Sequence, residues 1–433
     1  MVVSSISGIR GVANQDLTPD AVAAYAESFA ALTRAGEVLV GRDTRSSGDM
    51  FRRAVCGALV AAGVRAVDYG IISTPALFRE SRLTNAPAVM VSASHNEPEW
   101  NGIKLIVGGR GITQQDLDHV LSPRGAKERA VAPGRVVERR TSSYNTEVAE
   151  RAGRGTAEGV SVAIDMNGGA AIAHAPAILE AVGAKVKVMG GSPGIFSRTI
   201  DPTNDDLRTL CETVRGEGLD AGFAFDCDGD RLVLVDGEGE KRTGDFMLAL
   251  ALKKMLPSLE NRSVVVSVDT SMAVDDVVSQ LGGTLYRSTV GEANVVSTML
   301  EKGATLGGEG SSGGLIDGSY NWCRDSMIAV TVIAGALKKG GSRVFREVPS
   351  YKQVRMKFPM DRRKVASAIR RLQKESPGAD FMDGVRVQES RRAWVLVRAS
   401  GTEDAVRVSA ESTSAEEAQE LAESYAQRVK KLA

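Results

Sequence analysis

The run Asp226-Cys-Asp228-Gly-Asp230-Arg231 sets three carboxylates at alternate positions between two apolar stretches, residues 222–225 and 232–235. Two unit charges about 4 Å apart repel by roughly 4 kcal/mol at an effective dielectric of 20. Three converging carboxylates therefore call for a cation, and an all-oxygen set suits Mg²⁺, which keeps positions for phosphate or water. A solvated acidic turn is the plain reading of an isolated D-x-D. Apolar strands on both sides instead put this loop at a strand end, where α/β proteins build their sites. A calcium EF-hand does not fit, because its glycine and glutamate positions, the sixth and twelfth, hold Arg231 and Gly237.

A second group is Ser94-His95-Asn96, directly after the apolar run 86–91, with Lys104 on the stretch that follows. A serine so placed is presented to a cleft, and it becomes a nucleophile only when a base or a metal activates it. His95 is the adjacent candidate and Lys104 the returning one. A polar turn in which Ser94 and Asn96 cap the backbone accounts for the same residues. Further on, Arg398, Ser400, Gly401, Thr402 and Arg407 gather guanidinium groups, hydroxyls and backbone N–H groups around a glycine turn, a donor set suited to a phosphate dianion. A hairpin loop is the competing view. Glu309 and Ser311, in a glycine-rich run from 307 to 314, offer a carboxylate and a hydroxyl fit for a sugar, or form a mere connection.

The elements that must hold these residues alternate between strand and helix. Thr18-Pro19 opens a helix with a capping hydroxyl and a proline at its first position. Strands are expected at 37–40, 86–91, 102–107, 160–165, 185–189, 222–225, 232–235, 264–268 and 284–286. Helices follow from about 50 and over 272–281, 292–302 and 324–339. This reads as three α/β units. The last stretch differs, with strands at 351–358, 385–388 and 394–397, a basic helix near 361–374 and a capped closing helix from Ser414. The expected units are 1–142, 143–245, 246–349 and 350–433, three related α/β domains and a C-terminal α+β domain around a central cleft. Asp165-Met-Asn-Gly168-Gly169 lacks the spacing of a dinucleotide loop and reads as the first strand–helix turn of the second unit. His119 and His174 have no partner motif and are assigned no role.

Composition sets the outer bounds. The 433 residues carry 54 basic and 54 acidic side chains, so the formal net charge is zero and nothing suggests a nucleic-acid binder. The four cysteines are scattered without a C-x-x-C pair, which supports neither structural zinc nor a disulfide framework. The apolar stretch 327–337 is too short to span a bilayer, and the first residues lack the pattern of a signal peptide. A cytoplasmic protein acting on a small molecule, with no nucleic-acid or membrane partner and present as monomer or homodimer, is expected.

Taken in order, these clusters resemble the α-D-phosphohexomutase superfamily, which covers phosphoglucomutase/phosphomannomutase and phosphoglucosamine mutase. Ser7-Gly-Ile-Arg10-Gly and Gly41-Arg-Asp-Thr-Arg-Ser-Ser-Gly48 extend the resemblance over essentially the whole chain. It implies phosphoryl transfer between O6 and O1 of a hexose phosphate, with Ser94 as a phosphoserine and a hexose 1,6-bisphosphate as intermediate and primer. It implies Mg²⁺ held by Ser94, Asp226, Asp228 and Asp230, with Arg231 on the phosphoserine. Lys104 and Arg10 would support proton transfer and charge neutralisation. Glu309 and Ser311 would read the sugar, and Arg398, Ser400, Gly401, Thr402 and Arg407 would hold the non-reacting phosphate. The chain departs from the family pattern at four points. Gly313 and Gly314 follow the serines where many bacterial members carry histidine. Glu97 delays a proline to Pro98, Asp404 replaces a proline, and Cys227 replaces a glycine. Ser5–Arg10, Glu99–Lys104, Val290-Gly-Glu-Ala-Asn294 and Gly307–Gly310 resemble the phosphoglucosamine mutase branch, with glucosamine 6-phosphate as the implied substrate and phosphomannomutase/phosphoglucomutase as the alternative. A phosphatase of the haloacid dehalogenase type would use Asp226 as nucleophile but requires a hydroxyl residue at position 230. A non-catalytic sugar-phosphate sensor would not require Ser94.

Overall fold

The computed structural model describes residues 2–122, 132–139, 142–400 and 404–433. Its apolar runs line up in four sheets, and the first three repeat one plan. The first unit contains β1 (Val3–Ser5), β2 (Gly8–Val12), β3 (Glu37–Arg42), β4 (Arg65–Ile71), β5 (Ala88–Val91), β6 (Trp100–Val107) and two short strands, β7 (Arg110–Gly111) and β8 (Val136–Glu138). β3 pairs in parallel with β4 and β5, and β6 returns antiparallel beside β5. The second unit has β9 (Ser161–Asp165), β10 (Lys185–Met189), β11 (Ala221–Phe225) and β12 (Leu232–Asp236), in the order β10-β9-β11-β12. The third has β13 (Ser263–Ser267), β14 (Thr284–Ser288), β15 (Leu306–Glu309) and β16 (Gly314–Asp317), in the order β14-β13-β15-β16. In both, the last two strands are antiparallel.

The same order, β4-β3-β5-β6, lies inside the first sheet. Each of these three units therefore carries an antiparallel hairpin at the same place in this order, at the sheet edge in the second and third and extended by β2 and β1 in the first, with turns at 92–99, 226–231 and 310–313. These three turns, equivalent in topology, carry Ser94, the three aspartates, and Ser311 with Ser312.

The fourth unit is antiparallel throughout. β17 (Lys352–Pro359), β18 (Val385–Ser390), β19 (Ala393–Ala399) and β20 (Ala405–Ser412) pair in the order β17-β20-β19-β18. Helices Arg362–Glu375 and Ala415–Leu432 pack on that sheet. Sequence reading found three of these strands and missed β20, which is central. Its apolar side chains, Val406, Val408 and Ala410, do alternate, but Arg407, Ser409 and Glu411 between them gave the run a loop-like polarity.

Two of the helix starts read from sequence are formed as expected. Thr18 accepts from the Ala21 N–H at 3.3 Å and Ser414 from the Glu417 N–H at 3.3 Å. The stretch 327–337 lies within the mostly buried helix Ser326–Gly340, and no helix among the described residues is long and apolar enough to cross a membrane.

One apolar core runs through the first three units. It takes in Leu39, Ile72 and Leu77, then Ile164, Phe223 and Phe225, then Leu248, Val266 and Ile333. The fourth unit has its own core, including Val365, Leu372, Val395, Val408 and Val429. It meets the third through a small cluster of Val268, Met272, Trp394 and Leu396. Glu411, fully buried, accepts from the Met272 N–H at 2.8 Å and from Trp394 Nε1 at 2.9 Å, and so joins β20 to the start of helix Met272–Gln280.

Candidate active site

Ser94 is fully buried and has φ +54°, in the left-handed region that residues other than glycine avoid. The loop around it is held from beneath. Arg45, paired with Asp43 at 3.1 Å, donates to the backbone carbonyls of Ser94 (2.8 Å), Asn96 (2.5 Å), Trp100 (3.0 Å) and Glu97. Asp43 also accepts from Ser92 Oγ at 2.6 Å, and Ser92 Oγ accepts from the Ser94 N–H at 2.8 Å. Ser94 Oγ thereby reaches Asp226 Oδ2 at 3.3 Å, across from one unit to the next.

Asp226, Asp228 and Asp230 converge, each offering an oxygen within 4.8 Å of the others, and all three are fully buried. Gly229, at φ +69°, allows the bend between them. Asp226 Oδ1 accepts from the N–H groups of Asp230 (3.1 Å) and Arg231 (3.2 Å), while Thr74 Oγ1 donates to Asp228. Asp228 Oδ1 and Asp230 Oδ1 are buried with no hydrogen-bond partner among the described residues. Buried carboxylate oxygens left without a donor are costly unless something else meets them, so this set fits a divalent cation.

Charge around the triad is dense. Lys104, on β6, places Nζ 2.5 Å from Asp228 and 3.1 Å from Asp230. Burial alone would lower the Lys104 ammonium, but the two carboxylates outweigh it and hold the group firmly protonated. Burial would likewise raise Asp230, and Arg324, Lys104 and Arg231 together hold it below the usual carboxylate range. Asp226 goes the other way, pushed up by burial and by Asp230 and Asp228.

Arg231 donates to Asp201 at 2.8 Å and to His95 Nδ1 at 2.7 Å. An arginine has no acceptor, so Nδ1 of His95 is unprotonated and the ring proton sits on Nε2. Burial and then Arg231 press the imidazole toward its neutral form. Arg10 donates to Asn96 Oδ1 at 3.0 Å and to the Ser7 carbonyl at 3.3 Å.

In the third unit, Glu309 ends β15. Its Oε1 accepts from the Gly291 N–H at 2.7 Å and its Oε2 from Arg324 at 3.1 Å. Ser311 is half-buried on the following turn. On the fourth sheet, Lys357, Arg407 and Arg398 stand directly opposite one another across β17, β20 and β19. Like charges in register repel, so this row suits an anion. Ser400 beside it is buried, its Oγ lacking a partner among the described residues. Gly401 and Thr402 lie outside the described residues. Arg398 and Ser400 form no described hydrogen bond or ion pair with the serine or the aspartates. Their link to the rest runs through Asp383, 4.0 Å from Arg398, which accepts from the Val290 N–H at 3.1 Å.

Sequence reading missed three residues here. Arg45 lay inside the run 41–48, where no chemical reason marked it. Asp201 reaches Arg231 from a long loop after β10, which Arg198 pins to Asp165 at 2.6 Å and Asn167 Oδ1 holds through the Ser197 N–H at 2.8 Å. Arg324 carries no motif and in sequence marks only the start of a helix. His174, assigned no role, is a satisfied core histidine: Nε2 accepts from the Ser73 N–H at 3.2 Å and Nδ1 faces Asn145 Oδ1 at 2.6 Å.

Three equivalent hairpins bearing a hydroxyl, a carboxylate triad and Glu309, with a cation row on a fourth sheet, define a multidomain α/β phosphotransfer enzyme. The chain belongs to the phosphoglucomutase/phosphomannomutase family. Models of that family's α/β/α domains I, II and III match residues 4–123, 142–239 and 243–352, and that of its C-terminal domain matches 353–428. A probable phosphoglucosamine mutase of Thermococcus kodakarensis is 31% identical, over 98% of this chain and 97% of the relative. A phosphoglucomutase/phosphomannomutase of the same organism is also 31% identical, over 96% of each. A phosphoglucomutase/phosphomannomutase family protein of Burkholderia thailandensis has the same fold, with a TM-score of 0.86 at 23% identity over 98% of this chain and 96% of the other.

Proposed function

We propose that this chain moves a phosphoryl group between O6 and O1 of a hexose phosphate through a phosphorylated Ser94, with glucosamine 6-phosphate as the preferred substrate. The observation that carries the reading is Ser94 Oγ, 3.3 Å from Asp226 in a buried triad where one oxygen each of Asp228 and Asp230 lacks a donor among the described residues. Asp226, Asp228 and Asp230, with Ser94, would hold Mg²⁺, which supplies charge stabilisation for the phosphoryl oxygens.

The rest falls to the chain's own groups. In the first transfer the P–Oγ bond at Ser94 breaks and a bond to the sugar oxygen forms, and the proton of the attacking hydroxyl ends on Oγ. The hexose 1,6-bisphosphate then turns over, and the reverse transfer takes its other phosphoryl to Ser94. Lys104, Arg10 and Arg231 neutralise the charge in flight, and the Nε2–H of His95 is a donor beside the serine. Glu309 and Ser311 take the sugar hydroxyls. Arg398, Ser400, Gly401, Thr402 and Arg407 hold whichever phosphate is not reacting. A trace of the bisphosphate primes Ser94. We read the protein as a cytoplasmic enzyme, monomeric or homodimeric, built of units 1–142, 143–245, 246–349 and 350–433.

Two relatives of equal identity carry different names, so overall similarity does not choose the hexose. The choice rests on Ser5–Arg10, Glu99–Lys104, Val290–Asn294 and Gly307–Gly310, which resemble the phosphoglucosamine mutase pattern. Phosphorus NMR of glucosamine 6-phosphate, glucose 6-phosphate and mannose 6-phosphate, each with Mg²⁺ and its bisphosphate, tests both levels. Conversion led by glucosamine is expected; a folded, primed protein that converts none of them is not a mutase of this kind.

A further inference from the structure

Arg324 lies outside every motif, yet it bridges the aspartate turn, the turn after β15 and the start of helix Glu292–Lys302. It stands between β16 and helix Ser326–Gly340 and is only 8% exposed. Its Nη2 lies 2.9 Å from Asp230 of the aspartate hairpin, and its Nη1 donates to Glu309 at 3.1 Å and to Ser312 Oγ at 3.2 Å on the sugar hairpin. On its other side Glu292, at the first turn of helix Glu292–Lys302, lies 3.2 Å from Nε and accepts from the Arg324 N–H at 2.8 Å. One planar fork thus ties together three carboxylates from three segments, which a point-charge lysine cannot reproduce.

Two further features show that the arrangement is built. A Cβ on Gly314 would stand 2.2 Å from Arg324 Cδ, so the sugar hairpin carries no side chain where the arginine crosses it. With Gly291 on Oε1 and Arg324 on Oε2, the Glu309 carboxylate has donors on both oxygens and cannot rotate freely.

We propose that Arg324 is a positioning residue: it fixes the Glu309 carboxylate against the aspartate hairpin, and through Glu309 it sets which hexose phosphate the site prefers. The inference rests on the mutase reading above. A carboxylate that discriminates by hydrogen bonding does so only while its position is held to a fraction of an ångström.

The test is a double-mutant cycle of Arg324→Lys and Glu309→Gln, read as kcat/KM on glucosamine, glucose and mannose 6-phosphates. Calorimetric affinity for glucosamine 6-phosphate in chelator provides a readout without metal or turnover. Each single change is expected to lower kcat/KM on the preferred substrate about 100-fold, to compress the preference among the three to a few-fold, and to weaken affinity about 10-fold. The double variant should be no worse than the poorer single within about 3-fold. Free guanidinium should restore part of the activity of Arg324→Ala. Multiplying losses, or an equal loss on all three sugars with the preference intact, overturn the proposal. Should Arg324→Lys not fold, Glu292→Gln frees the far side of the arginine and must shift the preference in the same direction. A wild-type protein inactive on all three sugars overturns the mutase reading instead, whereas an active, selective wild type unmoved by these changes overturns only the role of Arg324.

Discussion

At the residue scale, Ser94 is the side chain on which most depends, and its backbone is strained. A non-glycine residue at positive φ costs on the order of 1–3 kcal/mol, and Arg45 with Ser92 keeps it there. Ser94→Gly should therefore raise the unfolding free energy measured by urea titration, by up to about 1 kcal/mol, while abolishing turnover. Ser94→Ala should lose more than about 1,000-fold in phosphoryl transfer and bind hexose phosphate within a few-fold of the parent, measured by phosphorus NMR and calorimetry. Chelation by excess EDTA should stop turnover and Mg²⁺ should restore it; full activity without divalent ions would sink the role given to the aspartates. His174 provides a stability test. Burial lowers its imidazole to about 4, whereas the unfolded chain titrates near 6.5. Between these values the unfolded state binds the extra proton, so stability is full above about pH 6.5 and falls toward pH 4, by roughly 3 kcal/mol. His174→Gln should flatten that part of the midpoint-against-pH curve. Ser94, the aspartates, Lys104 and Glu309 were legible in sequence because each lies in a local cluster of chemically matched residues. Asp201 and Arg324 were not, because their partners, Arg231 and Glu309, are met only through the tertiary fold.

At the scale of elements, most strands could be read because they are nearly unbroken apolar runs, as in β11 and β12, where every residue is buried. β20 escaped because its polar positions make specific contacts that sequence does not display. Glu411 is the clearest case. Both its oxygens are engaged, Oε1 by Met272 N–H and Trp394 Nε1 and Oε2 by Gln353 at 2.7 Å, so the carboxylate is a joint between two units. Glu411→Ala leaves these donors without an acceptor and should cost about 2–4 kcal/mol in urea unfolding, with Glu411→Gln recovering much of it. A change below about 0.5 kcal/mol would mean that water replaces the carboxylate at no cost. The departure at Asp404 also finds an explanation here. It pairs with Arg362 at 2.8 Å, tying the residue before β20 to the start of helix Arg362–Glu375. Both side chains are exposed, so the pair adds little stability.

For the whole molecule, the distribution of apolar cores predicts how it comes apart. One core spans three sheets, whereas the fourth unit is self-contained and attached by a small cluster. Scanning calorimetry should show one large transition for the first three units and a smaller one for the fourth. Trp394→Ala, which empties a fully buried site, should lower the smaller transition by the equivalent of about 3–5 kcal/mol. Three separable transitions for the α/β units would contradict a shared core. The sequence revealed the repeating units but not this fusion, since a residue's periodicity shows which face is buried and not whose neighbour covers it.

The equivalent hairpins carry a consequence for descent. One sheet plan, copied twice within a chain, supplied three turns at matching places, and each copy has come to hold a different part of a single site. Inheritance of this kind divides risk. The turn at 310–313 is separate in the chain from the turns at 92–99 and 226–231 that hold the hydroxyl and the carboxylates, so residues there can change without altering those turns. Under the function proposed above, such a lineage can change which sugar it accepts while keeping the phosphoryl transfer itself.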